Sequence, residues 1–189
     1  MTLAERHVTL QELEEGLERI KSSPKDEGVL ELIVRRPSIG AREVLSAGEL
    51  DVTTGLAGDT WKHRGSARTR DGSPHPDMQL NIMNARVIAL IARSKERWPL
   101  AGDQLFIDLD LTAENLPPYT RLALGSAVIE VTEQPHTGCG KFVERFGVEA
   151  MKFVNSPKGR RYNLRGINAK VVQSGTIRVG DLARKLVSP

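Results

Sequence analysis

Leu10, Leu13, Leu17 and Ile20 recur at helical spacing, with Glu12, Glu14, Glu15 and Glu18 on the other face. This pattern predicts an amphipathic helix over 10–22, started by Thr9 or Gln11 and ended by Ser22-Ser23-Pro24. From Gly28 the period changes. Val29–Val34 reads as a strand stopped by Pro37 and Gly40, and Glu43–Val52 as a second strand. A polar, Gly-rich loop runs over 53–76. Leu80–Met83 is strand-like. Asn84 is placed to cap a helix holding Val87, Ile88, Leu90 and Ile91, which ends before Pro99. Leu105–Ile107, Arg121–Leu124 and Ala127–Thr132 read as strands, and Phe142–Val154 carries helical spacing. Ile167–Val172, Thr176–Val179 and Leu182–Val187 are three short strands turned at Gly175 and Gly180. Many short strands with Gly turns and few helices predict a mainly β, barrel-like fold with peripheral helices. A doubly wound α/β sheet needs a helix between most strands, and those are missing. The organisation expected is an N-terminal helix and linker over 1–27, laid on a barrel domain over 28–189.

Composition narrows the setting. A chain of 189 residues suits one domain with a real core, and 27% charged with 39% apolar residues is ordinary for a globule. No apolar run reaches the roughly 18–20 residues of a membrane helix. The start has no basic segment followed by an apolar one, so no signal peptide is expected. Cys139 is the only cysteine, which excludes an internal disulfide and a Cys-only zinc site and points to the cytoplasm. Charge is uneven. Residues 141–189 hold 11 Lys+Arg against 3 Asp+Glu, net +8, whereas residues 1–140 hold 16 against 21, net −5.

Candidate chemistry gathers in three segments. Gln134-Pro135-His136-Thr137-Gly138-Cys139-Gly140-Lys141 follows the strongest strand and precedes a helix. Its glycines allow a sharp turn and close approach to the thiol. A helix N-terminus and Lys141 place positive charge beside Cys139, which suits a nucleophile, a persulfide carrier or a soft-metal ligand as well as a plain buried small residue. His136, three positions before it, reads as a general base, a ligand or a polar loop residue. The second segment, Gly55-Leu56-Ala57-Gly58-Asp59-Thr60-Trp61-Lys62-His63-Arg64, can wrap a phosphate, yet lacks the P-loop pattern, and turn chemistry explains its Gly-Asp equally well. The third, Lys158-Gly159-Arg160-Arg161 with Arg165, reads as a solvated loop or as an anion clamp built from arginine forks. Only Tyr162 lies there as a stacking aromatic, so single-strand readout is poorly supported, and a module whose basic C-terminal surface meets nucleic acid or an acidic partner is the last-ranked alternative.

The order of several short motifs resembles the MOSC family, the domain also found at the C-terminus of molybdenum cofactor sulfurases. The resemblance spans about 29–187. It rests on Val34–Gly40, Gly55-Leu56-Ala57-Gly58-Asp59, Ala113-Glu114-Asn115-Leu116, Leu124–Ala127 with Glu130-Val131-Thr132, Cys139, and Arg165–Val172 with Gly175, Gly180 and Asp181. His-Thr-Gly-Cys-Gly-Lys-Phe is similar to small stand-alone bacterial members. Gly138 stands where many members have proline, Thr60 where many have arginine, and Ala113 replaces a glycine. The resemblance implies a MOSC-like β-barrel that binds the molybdenum cofactor (molybdopterin), with Cys139 as metal ligand or sulfur carrier. It implies reduction of N-hydroxylated small molecules or sulfur transfer, and at family level an association with pyridoxal phosphate. Cys139, His136 and Asp59 become the catalytic candidates. Arg35, Arg36, Gly58, Lys62, Arg64, Asn115, Lys141, Arg160, Arg161 and Arg165 become candidates to hold the cofactor and its phosphate. With one cysteine the chain has no iron–sulfur cluster of its own, so reduction calls for a separate electron-donor protein and sulfur transfer for a cysteine desulfurase. Helix 10–22 and an exposed strand edge suit a homodimer.

Overall fold

The computed structural model describes residues 6–186. The helices are α1 (Leu10–Glu15), α2 (Leu17–Lys21), α3 (Ala85–Ala92), α4 (Gly140–Asn155) and α5 (Pro157–Arg161). The strands are β1 (Glu27–Arg35), β2 (Glu43–Leu45), β3 (Ala47–Asp51), β4 (Gly55–Leu56), β5 (Leu80–Asn84), β6 (Leu105–Asp108), β7 (Arg121–Leu124), β8 (Ala127–Val131), β9 (Ile167–Gln173), β10 (Gly175–Arg178) and β11 (Leu182–Lys185). Strands β1, β6, β5, β9, β8, β7 and β11 pair in that order, and β11 returns to β1, closing a seven-stranded barrel. Only β5–β6 is parallel among these pairings. Closure leaves no open edge on these seven strands. β2 extends the C-terminal half of β1, and β10, β3 and β4 form a small second sheet.

Alternation along the strands splits the core in two. Leu30, Ile33, Ile82, Leu105, Ile107 and Ile129 belong to the cluster that includes the strands' inward positions. Leu32, Val34, Met83 and Phe106 join a second cluster with Leu13, Leu17, Ile20, Ile88, Phe142 and Phe153, so α1–α4 cover one outer side of the barrel. A bulge between Leu30 and Leu32 shifts the phase of β1, so Leu30 and Ile33 share a face despite their odd spacing. No helix among the described residues is long and apolar enough to cross a membrane.

The structure corrects several local expectations. Helix 10–22 is broken at Gly16, which ends α1 and starts α2. A Cβ there would stand 2.5 Å from the Leu90 side chain, so glycine lets the break sit against α3. The strand expected over 43–52 is two strands in different sheets. The loop over 53–76 contains β4 and a 3-10 turn at Thr60–His63. Asn84 does cap α3, its Oδ1 accepting from the N–H groups of Arg86 and Val87. That helix stops at Ala92, where Arg93 turns to φ 63. Helix α4 kinks at Gly147 (φ 88). Residues 157–161 are not a loop but α5, begun by Pro157 and by Ser156, whose Oγ accepts from Gly159 N–H.

The uneven charge finds a structural reason as well. Arg161, Arg165, Lys170, Arg184 and Lys185 of the basic tail pair with Glu114, Asp103, Asp77 and Glu130, Glu27, and Asp26 of the acidic body. Most of these pairs are exposed and contribute little stability each. They show part of the tail's charge answered within the chain.

Candidate functional site

Two buried ion pairs organise one region of the barrel. β1 runs into Arg36, whose side chain is 7% exposed and whose partner Asp59 is fully buried. Arg36 Nε and Nη2 donate to the two carboxylate oxygens of Asp59 at 2.8 Å each, and the Arg36 backbone N–H donates to Oδ2. The remaining Nη1 donates to Asn81 Oδ1 and to the Gly102 carbonyl. Asp59 also accepts from Trp61 N–H and so starts the 3-10 turn. Every polar atom of the pair is therefore engaged, as a buried charge requires.

The neighbouring residue Asp103 forms the second pair. Its carboxylate is fully buried and takes both bonds of Arg165 Nη1, at 2.8 and 2.9 Å. Arg165 Nη2 donates to Ala101 O, and its guanidinium lies 5.0 Å from the Phe142 ring centroid. Burial raises the Asp103 pKa, and the Arg165 charge pulls against it. His136 Nδ1 lies 3.5 Å from Asp103 Oδ1, buried and without a hydrogen bond. Gly166 makes room here: its φ is +106, and a Cβ would stand 2.1 Å from the Ile82 carbonyl and 3.2 Å from His136 Nδ1.

A chain of carboxamides joins this region to the cysteine loop. Asn81 Nδ2 donates to Asn168 Oδ1 at 2.6 Å, and Asn168 Nδ2 donates to the Gln134 carbonyl. Arg68 of the 53–76 segment donates to Gln134 Oε1. Five residues on, Cys139 is the N-cap of α4, exposed, with its carbonyl accepting from Phe142 and Val143 and its side chain making no cap bond. Gly138 is gripped by Asn155, which accepts from its N–H and donates to its carbonyl. The thiol thus stands on a braced turn rather than in the core.

Beside the Arg36–Asp59 pair lies a cleft of about 120 Å³, lined by Arg36, Trp61, Arg64, Ser66, His75 and Asn81 among others. Its cations are under-compensated. The Arg64 side chain has no partner among the described residues. Burial and the Arg36 charge lower its pKa. Arg42, outside the cleft's lining, donates to the Ala41 and Pro99 carbonyls, and burial, with Arg145, Arg36 and Arg64 nearby, lowers its pKa too, against the pull of Asp59. Mutually repelling guanidinium groups with no carboxylate of their own are poised for an anion.

The expected site residues fall into separate places. Arg36, Asp59 and Arg64 meet at this cleft, with Gly58 one residue away, and His136 and Arg165 meet at Asp103. Arg35 is held by Glu43 through Nε and Nη2 and covers Gly58, where a Cβ would stand 2.7 Å from its Nη1. Lys62 and Lys141 are exposed. Asn115 braces a loop: it donates to the Lys25 and Asp110 carbonyls and accepts from Lys185. Arg160 donates to the Asn155 carbonyl, and Arg161 faces Glu114 at 3.6 Å on the surface. Asp103, Asn81, Asn168 and Arg42 escaped the sequence reading. Their only signal is a polar residue beside apolar ones in or next to a strand, which alternation assigns to the solvent face.

His136 gives this region a pH signature. Burial first, then the Arg165 and Arg36 charges, hold its pKa well below the usual 6.5. Below pH 6.5 the unfolded chain binds a proton that the folded chain refuses, so stability falls as pH drops through that window. The His136 share of the slope is at most about 1.4 kcal/mol per pH unit. Asp103, with its raised pKa, acts in the opposite direction above its usual 3.8 in any variant that keeps it. Urea unfolding of wild type and His136→Gln at several pH values between neutral and mildly acidic should show a shallower acid loss in the variant. Identical slopes would refute the assignment.

No family model matches the chain, and no curated protein matches it by sequence. Solved structures do match its fold. The YuaD protein from Bacillus subtilis is 17% identical at a TM-score of 0.59, covering 86% of this chain and 97% of that one. YiiM from Escherichia coli is 19% identical at 0.53, covering 85% and 71%. YiiM from Geobacillus stearothermophilus is 12% identical at 0.50, covering 87% and 75%.

Proposed function

We propose that this MOSC-like β-barrel binds the molybdenum cofactor, with Cys139 as the sulfur ligand of the metal, and reduces a small N-hydroxylated molecule. One observation carries the reading: Arg64 lines the Arg36–Asp59 cleft with no hydrogen-bonded carboxylate of its own, Arg42 stands close enough to repel it, and the carboxamide chain ties that cleft to the loop bearing the sole cysteine. The donor set fits the group. A soft, exposed thiol suits molybdenum, and unanswered guanidinium groups suit the cofactor's phosphate. When bound, the cofactor supplies the two-electron chemistry.

The chain's own residues have distinct tasks. Arg64 and Arg42 bind the phosphate, and Trp61 offers an apolar wall. Arg36 and Asp59 hold that surface rigid, both Asp59 carboxylate oxygens accepting from the Arg36 guanidinium. His136, neutral and next to the same network, is the group able to accept or return a proton. Electrons come from a separate protein. A second reading is favoured by the exposure of Cys139: a thiol reachable from solvent can attack the outer sulfur of a cysteine desulfurase's persulfide, breaking its S–S bond, so that Cys139 carries the persulfide and the desulfurase leaves as a thiol.

Both readings are tested on protein made in a cofactor-competent host. Wild type should carry molybdenum, and Cys139→Ala should lose it by about tenfold or more. Equal molybdenum in the two proteins would remove the ligand role. No molybdenum in either, with one extra sulfur atom on the Cys139 peptide after desulfurase treatment, would establish the carrier instead.

A further inference from the structure

A second pocket, of about 220 Å³, shares His136 with the buried network but is lined by no lysine or arginine. Its walls are apolar at Leu116, Val131 and Ile167, and its polar groups include His136, Gln134 and Glu133. The state of each follows from its neighbours. His136 Nδ1 faces Asp103 Oδ1, where a ring lone pair would meet a carboxylate lone pair. A carboxylate at that distance favours the proton on Nδ1, which leaves Nε2 as an acceptor. The imidazole stays uncharged, because burial and the Arg165 and Arg36 guanidinium groups oppose a third positive charge. Gln134 is oriented by its own contacts: Oε1 accepts from Arg68, so the carboxamide nitrogen is the other atom, and its N–H groups have no partner among the described residues. Glu133 adds a carboxylate, which the Tyr119 hydroxyl engages.

Beside the Glu133 carboxylate and the Thr132 and Asn163 side chains, the pocket thus offers the His136 acceptor, the Gln134 donor and apolar walls. An anion is turned away by Glu133 and finds no cation to answer it. A cation is opposed near His136 by the two guanidinium charges. We propose that this pocket binds a small uncharged molecule carrying a carboxamide or lactam on a flat apolar frame, its N–H donated to His136 Nε2 and its carbonyl accepting from Gln134. The assignment needs no cofactor and is tested without one, so its outcome is separable from that of the molybdenum reading.

The test uses three probes of nearly equal shape on the full chain: benzamide, benzoate and acetophenone. Benzoate replaces the donor by a charge, and acetophenone replaces it by a methyl group. Binding is followed by nuclear magnetic resonance, with the ring nitrogens of His136 observed directly. Benzamide should bind and shift Nε2, with Nδ1 protonated throughout. Benzoate and acetophenone should bind about tenfold more weakly, the worth of one lost hydrogen bond. Glu133→Gln, on the surface and harmless to the fold, should improve benzoate binding several-fold and leave benzamide nearly unchanged. Equal binding of all three probes, no binding of benzamide, or a proton found on Nε2 would overturn the proposal.

Discussion

Asp59→Ala destabilises the protein by about 3–5 kcal/mol, the usual result of removing one partner of a buried ion pair. The pair is more buried than most, with Arg36 at 7% and Asp59 at 0% side-chain exposure. Alanine strands the Nε and Nη2 donors and the Arg36 backbone N–H, and it also uncaps the 3-10 turn at Trp61. The melting temperature should fall by roughly 6–20 °C for a chain of this length. The control is Arg36→Met with Asp59→Leu, which removes both charges and fills the volume. It should regain most of the loss, because the cost lies in the stranded charge rather than in a large net attraction. A drop below about 1 kcal/mol for Asp59→Ala, or a double variant as unstable as the single, would contradict the burial of this pair.

Asp103→Ala acts by the same mechanism with a smaller expected effect, about 3 kcal/mol. Arg165 loses both carboxylate bonds but keeps the Ala101 carbonyl and the Phe142 ring. A guanidinium resting on an aromatic face is less exposed to the full penalty than one surrounded only by stranded donors. The variant has a second readout. Without the carboxylate at 3.5 Å, nothing holds the proton on His136 Nδ1, so the two neutral tautomers should mix. Thermal unfolding measures the first effect and nitrogen-15 spectra of the imidazole the second. A stable variant with an unmixed tautomer would show that Asp103 neither balances Arg165 nor orients His136.

Most strands were legible because their signal is local. Ala127-Val128-Ile129-Glu130-Val131 is rich in β-branched residues and bounded by a turn, and it is β8. Asn84 announced α3 through a cap that sequence alone displays. The failures involve partners that the chain brings together from a distance. Nothing near Ser46 says that β2 pairs with β1 while β3 pairs with β10, so one strand was expected where two exist. Arg36 and Asp59 lie 23 positions apart, and Arg165 and Asp103 lie 62 apart. A composition reading cannot distinguish these arginines from Arg160 and Arg161, which are exposed. The anion-clamp reading of the 158–165 run therefore joined a buried structural cation to surface ones. The positive cleft draws instead on Arg36 and Arg64, both among the candidates, with the unflagged Arg42 nearby. Cys139 was placed correctly beside a helix start; its exposure came from the Asn155 grip on Gly138, 17 positions away.

The return of β11 to β1 has a consequence in time. Glu27 pairs with Arg184, and 157 positions separate them. While the chain is being made, β1 precedes both of its barrel partners, β6 and β11, and the sheet stays open until β11 has been made. Contacts of such long sequence separation are slow to form, and an open sheet offers its edge to other chains in the meantime. Loss of the last strand, or a pause before it, therefore converts a sealed cylinder into an aggregation template.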